Sequence, residues 1–276
     1  FLVISVIISA CKKNEDKELE VNLPKDYDSG MYILTDQGIS FYNYLAVDSL
    51  RIVTENIYKI EGHPLLAYTI KVAINCKLFD RIVCVTNSKK YAKIAAKYGA
   101  EVPLLRPKNI SHSKSPDIEW VTWIMKILNQ KNKYDIFSIL RPTSPLRTVK
   151  MIKSAWNKFI KNKKCDSLRA IEKCKQHPGK MWKIKKDFME PILYKNVKGI
   201  PYHSRQYADL PEIYEQNASL EIAWSKILNR KKPTIAGNKI IPFITKEQEG
   251  FDINYKEDVI LINEFFKNKK FKVPKI

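Results

Sequence analysis

Between residues 64 and 171 short β-branched runs alternate with stretches of helical period, and this alternation admits few architectures. Pro64 to Cys76 carries Leu65, Leu66, Tyr68, Thr69, Val72 and Ala73 on a helical spacing, with Pro at the first turn. Phe79 to Val85 reads as a buried strand. Asn87-Ser88 predicts an N-cap for a helix through Tyr98, closed by Gly99. Glu101 to Leu105 is extended and Ile118 to Leu128 helical. Ile136 to Leu140 is the next strand, Val149 to Ile160 a helix, and Ser167 to Ile171 a further strand. Such an order predicts a mostly parallel sheet with right-handed crossovers. Upstream, Met31 to Leu34, a turn at Asp36-Gln37-Gly38, and Ile39 to Tyr44 read as strand, turn, strand. Residues 178–208 lose the period and read as an inserted substrate or dimer element. Regular structure returns at Leu220 to Ile227, at Ile240 to Ile244 and in a last helix, Lys256 to Phe266.

The 276 residues carry 49 Lys+Arg against 29 Asp+Glu, a net charge of +20. With 45% apolar residues the chain is neither disordered nor collagen-like. Only eight of the cations are arginine, so the excess is a Lys-coated surface and a poor nucleic-acid signature. It still attracts small anions at long range. Cys76, Cys84, Cys165 and Cys174 form no C-x-x-C pair, and four scattered histidines argue against a zinc hydrolase.

Phe1 to Ala10 is almost wholly apolar, ends at Cys11 and is too short to span a bilayer as a helix. It resembles the tail of a lipoprotein signal with Cys11 as the lipidated residue and Lys12 to Glu20 as tether. A mis-called start or a buried first strand are the alternatives. The division expected is an atypical segment over residues 1–38 and an α/β domain over 39–276. A cytoplasmic location is expected, with membrane attachment only if Cys11 is lipidated.

Candidate chemistry gathers where strands end, as ligands do in open α/β sheets. Arg141-Pro-Thr-Ser-Pro-Leu-Arg147 follows a strand directly and offers two guanidinium groups and two hydroxyls for an anionic substrate. Leu105-Arg106-Pro107 places another Arg after an extended run. Phe251-Asp252-Ile253-Asn254 puts two oxygen side chains on one strand face, a pattern that suits Mg²⁺ beside phosphates; Asn254 as a helix N-cap is the alternative.

From about Asn56 to Phe266 the chain resembles the acylneuraminate cytidylyltransferases, also called CMP-sialic acid synthetases. The resemblance rests on Gly62 to Ile70, Phe79 to Thr86, Tyr98 to Pro107, Leu140 to Arg147, His177-Pro-Gly-Lys180, Tyr214-Glu-Gln-Asn217 and Phe251 to Asp258. It implies a three-layer Rossmann-like α/β sandwich and transfer of CMP from CTP to an acidic nine-carbon 2-keto sugar, with pyrophosphate released. It implies Mg²⁺ on Asp252 and Asn254, with Asp252 and Arg141 catalytic. Arg141 stands where the commoner pattern has Gln. Nucleotide contacts are implied for Ser49, Arg51, Asn56, Arg106, Ser111, Ser115, Thr143 and Ser144. Substrate contacts are implied for Arg147, Lys180, Gln206 and Asn217, with Lys180 on the sugar carboxylate. A homodimer is implied, and no nucleic acid.

One stretch departs from the pattern. The family's first loop is Gly-rich and cationic around the triphosphate. Here Leu45 to Ile57 aligns with it, but Ala46 replaces an Arg, Asp48 a Gly and Glu55 a Lys. In a shielded site each reversal costs several kcal/mol of transition-state stabilisation. The expectation is that residues 1 to about 55 are foreign to the ancestral enzyme. A degenerate, non-catalytic binding relative and a chimeric lipoprotein fusion are the competing readings.

Overall fold

The computed structural model describes residues 3–7, 30–35, 38–43, 57–112, 114–130, 132–267 and 276. In chain order its strands and helices open with β1 (Val3–Ile7), β2 (Gly30–Thr35), β3 (Gly38–Asn43), β4 (Lys59–Ile60), β5 (His63–Pro64) and α1 (Leu65–Cys76). Next come β6 (Arg81–Cys84), α2 (Lys89–Lys97), α3 (Asp117–Leu128), β7 (Ile136–Ile139), α4 (Val149–Lys161) and β8 (Ser167–Lys173). Then follow β9 (Trp182–Lys185), β10 (Phe188–Pro191), β11 (Asn196–Val197), β12 (Ile200–Pro201), β13 (Tyr214–Trp224), β14 (Ile240–Ile244) and α5 (Lys256–Lys267).

Six strands form the main sheet in the order β14-β8-β13-β7-β1-β6. β1 pairs in parallel with β6 and β7, and β14 with β8, while β13 runs antiparallel to both β7 and β8. The mostly parallel sheet is therefore as the pattern predicts. β1 falls inside the segment set apart as 1–38. The fold places it between β7 and β6, the strand alternative named for that run. β2 and β3 form the expected antiparallel hairpin.

β7 explains the layering. Its residues are all buried, so successive side chains face two different cores. Ile136 and Leu140 join Leu66, Ile70, Ile152 and Phe159 of α1 and α4 on one face. Phe137 and Ile139 join Trp120, Ile124 and Leu128 of α3 on the other. A third cluster seats α5 on α1 through Ile262, Leu65 and Tyr68. Truncating a wholly buried ring such as Phe159 to Ala costs about 3–5 kcal/mol.

Local chemistry sets the helix starts. Ser88 Oγ accepts from Tyr91 N at 3.4 Å and Thr148 Oγ1 from Met151 N at 3.0 Å. Residues 178–208 hold two small hairpins, β9–β10 and β11–β12, with Ile184 82% and Phe188 79% exposed. No described helix is long and apolar enough to cross a membrane.

Candidate functional site

The parallel strands end along one edge of the sheet, and antiparallel β13 begins there. The loop after β7 is closed from within. Ser144 N donates to Arg141 O at 3.2 Å, and Pro142 and Pro145 fix their own φ. Arg147 is wholly buried and does not reach ligand space. Its Nε donates to Ser219 O, its Nη1 to Thr69 Oγ1 at 3.2 Å and its Nη2 to Arg141 O at 2.7 Å. Burial pulls its guanidinium down to about 9, against the charge of Asp252. Arg147 thus ties the loop to α1 and β13, which corrects the expectation of a substrate contact: no face of it is open to one.

Arg141 is the guanidinium that lines the edge cleft, a space of about 350 Å³. Asn217, Asp252 and Asn254 line it too, so four of the expected residues converge. Ser144 Oγ donates to Asp252 Oδ1 at 3.3 Å, and Asn254 Nδ2 to Asp252 Oδ2 at 3.0 Å. Thr143 joins through its backbone, its carbonyl accepting from Ile253 N at 2.8 Å. Asn254 does not cap α5 with its side chain. Asp258 Oδ2 accepts from Asn254 N and Tyr255 N, both at 2.8 Å, and frees the Asn254 amide for Asp252. Asn217 is held in place: its Nδ2 donates to Thr245 Oγ1 at 3.0 Å and its Oδ1 accepts from Ser219 Oγ at 2.6 Å.

Arg141 faces two carboxylates. Its Nη2 bonds Asp117 Oδ2 and lies 3.4 Å from Glu221 Oε1. Burial opposes its charge, but Asp117 and Glu221 outweigh burial and hold its pKa above the ordinary value. Burial likewise opposes the charge of Asp117, and Arg141 overrides it and lowers its pKa.

Glu172 and Lys175 are further lining residues that the sequence reading passed over, with Glu215 and Asp258 beside them. Burial pushes the Glu172 carboxyl up, opposed by Lys175 and Asn217 and reinforced by Glu215 and Asp252. Gly250 also lines the cleft because a side chain has no room there. An added Cβ would stand 2.2 Å from Glu172 Oε2 and 2.5 Å from Asn217 Nδ2. Glu172 sits at the end of a predicted strand, which was the available signal. Asp117 and Glu221 had none, since their partners lie far away in sequence.

Other expected residues lie apart from this cleft. Arg106 Nε donates to Ser111 Oγ at 3.0 Å, and both are buried after β6. Ser115 Oγ accepts from His112 N at 3.1 Å. Lys180 Nζ donates to His203 O at 2.8 Å and Arg205 O at 2.5 Å, so it clamps the hairpin region. Gln206 is exposed next to it. Ser49, Arg51 and Asn56, with Ala46, Asp48, Glu55 and Cys11, lie outside the described residues.

Among the described residues no three His, Cys, Asp or Glu side chains converge as a metal cluster. Mg²⁺ needs less: one or two carboxylates with substrate oxygens. Asp252 supplies one carboxylate, and Asn254 Nδ2 faces its Oδ2, in a cleft whose described lining has four carboxylates against two cations.

The family profile described as Cytidylyltransferase matches residues 47–173. A pseudaminic acid cytidylyltransferase of Campylobacter jejuni is 37% identical over 115 residues, 41% of this chain and 50% of that protein. An N-acylneuraminate cytidylyltransferase of Escherichia coli is 36% identical over 93 residues, 34% of this chain and 21% of that protein. The post-translational flagellin modification protein B of Campylobacter coli is 26% identical over 220 residues, 78% of this chain and 89% of that protein. The chain spans about half the length, or less, of the first of these curated relatives. The solved structure of a CMP:2-keto-3-deoxy-manno-octonic acid synthetase complexed with CTP superposes with TM-score 0.58 at 10% identity. It covers 80% of this chain and 95% of its own, and shows the shared fold. Residues 47–173 thus match the cytidylyltransferase profile, and the chain shares the α/β fold of that solved structure.

Proposed function

We propose that this protein transfers CMP from CTP to an acidic 2-keto sugar of the sialic acid type and releases pyrophosphate. The observation that carries it is the cleft, where Arg141, Asn217, Asp252 and Asn254 meet at the sheet edge. In the reaction the anomeric hydroxyl of the sugar attacks the α-phosphorus of CTP. The new P–O bond forms as the bond to the β-phosphate oxygen breaks, the electron pair leaves with pyrophosphate, and the hydroxyl proton passes to water. Arg141 neutralises phosphate charge. Asn217, locked by Ser219 and Thr245, fixes one side of the sugar pocket. Asp252 and Asn254 hold Mg²⁺, which when bound supplies further charge neutralisation at the phosphates. Arg106 and Ser111 form the nucleoside side.

The test is pyrophosphate release by the purified chain with CTP and Mg²⁺, offered pseudaminic, N-acetylneuraminic or legionaminic acid in turn. Release with one of them is expected; none with any acid defeats the reading. Asp48 and Glu55 favour a second reading, a relative that binds nucleotide without turnover. The triple change Ala46→Arg, Asp48→Gly, Glu55→Lys separates the two, because a large gain in rate marks a weakened enzyme. The exposed β9–β10 hairpin supports a homodimer, and a supply of CTP supports a cytoplasmic site of action.

A further inference from the structure

Among its described lining residues the cleft presents one guanidinium, that of Arg141. The residue behind it is Glu221, only 4% exposed and on β13. Glu221 stands opposite Ile139 of β7 and Arg169 of β8. Arg141 lies two positions beyond Ile139, so its side chain leaves on the same face. Glu221 Oε1 is 3.4 Å from Arg141 Nη2, and Glu221 Oε2 is 2.9 Å from Arg169 Nη1. Asp117 takes Arg141 Nη2 from the other side and is itself fixed by Trp120 Nε1 at 2.8 Å. The result is a chain of alternating charge, Asp117–Arg141–Glu221–Arg169, from α3 across β7 and β13 to β8. Both carboxylates meet Nη2, and among the described residues no hydrogen bond is made by Nη1 or Nε.

Such a network is a poor way to stabilise a fold, since apolar side chains of equal volume serve as well or better. Its use lies in holding a cation at one place. We propose that Glu221 is a positioning residue: it fixes the Arg141 guanidinium at the cleft, and Arg169 balances its charge. This rests on the reading that Arg141 meets the phosphates of the nucleotide.

Glu221→Gln keeps the shape and removes the charge. It is expected to lower kcat/KM for CTP about 10- to 100-fold. In the Arg141→Gln background the same change is expected to add less than about 2-fold, because the residue it acts through is gone. Glu221→Gln combined with Arg169→Gln restores charge balance; melting temperature is expected to recover while kcat/KM stays low. In a crystal structure of Glu221→Gln the Arg141 guanidinium is expected to move by about 1 Å or more. Full independent effects in the Arg141→Gln background overturn the proposal. So does activity that returns with stability in the Arg169 double variant, or an unmoved Arg141. A wild-type chain that neither turns over nor binds CTP defeats the proposed function instead, and the position of Arg141 in the Glu221→Gln crystal still decides this proposal.

Discussion

Gly250→Ala is a one-carbon change with a calculable effect. The added Cβ would lie 2.2 Å from Glu172 Oε2, 2.5 Å from Asn217 Nδ2 and 2.8 Å from Thr245 Oγ1. Glu172 can swing its carboxylate into the cleft, but Asn217 and Thr245 do not yield freely. Asn217 is bonded on both ends of its amide, and its Nδ2 also reaches Glu172 Oε2 at 3.4 Å. Thr245 Oγ1 in turn donates to Ile171 O at 3.2 Å. Overpacking of this kind costs about 1–3 kcal/mol. At about 2–4 °C per kcal/mol for a domain of this size, melting falls by roughly 2–12 °C. The alternative to side-chain movement is a shift of the backbone at Gly250, which carries Asp252, two residues on, away from Ser144. A displacement near 1 Å at such a group costs on the order of 100-fold in rate. Differential scanning calorimetry and pyrophosphate release measure the two effects. The triple change Gly250→Ala, Thr245→Ala, Asn217→Ala removes the two held side-chain ends and is expected to leave turnover no lower than Thr245→Ala, Asn217→Ala alone. A Gly250→Ala chain that melts and turns over like the wild type would refute the reasoning, as would a triple variant slower than that pair.

Arg147→Lys keeps a positive charge but loses the planar fork that serves Ser219, Thr69 and Arg141 in three directions. A loss of about 1–3 kcal/mol in urea titration is expected; an unchanged midpoint counts against the loop-tying role. Asp166 binds Arg230 and accepts from Asn238 N and Lys239 N, and these, Arg230 first, hold its carboxyl well below the ordinary 3.8. A lowered folded pKa gives stability that is present above the unfolded value and lost as pH falls below it. Wild type is therefore expected to lose its advantage over Asp166→Asn between about pH 5 and pH 2, and a constant gap contradicts this. Ile184→Asp with Phe188→Asp is expected to turn a dimer into a monomer in light scattering; an unchanged mass excludes the β9–β10 hairpin as the contact.

The periodic part of the fold was legible. α1 begins after Pro64, α2 after Ser88 and α4 after Thr148, each where local chemistry permits it. The pattern predicts regular structure over Leu220 to Ile227, whereas β13 spans Tyr214–Trp224. It extends back from Leu220 to Tyr214 because its outer half pairs with β8, a partner set by tertiary contact. Glu101 to Leu105 contributes a single bridge, from Glu101 to Val83. At the site, Arg141 is visible from its place after a strand and Asp252 from its alternation with Asn254, whereas Asn217, inside β13, comes only through the family resemblance. Arg147 was misread because its sequence surroundings match those of an outward-facing arginine. What turns it inward is the Ser219 carbonyl, exposed where β13 slips register between Gln216 and Glu221.

The carboxylate excess of the cleft, set in a chain of charge +20, separates two ranges of electrostatics. Outside the cleft, within the roughly 8–10 Å that salt leaves unscreened, an approaching solute meets a polycation. Inside, Glu172, Glu215, Asp252 and Asp258 present it with a negative wall broken by Arg141 and Lys175. A bare polyanion is drawn in and then resisted, whereas one that brings its own counterion is admitted at both stages.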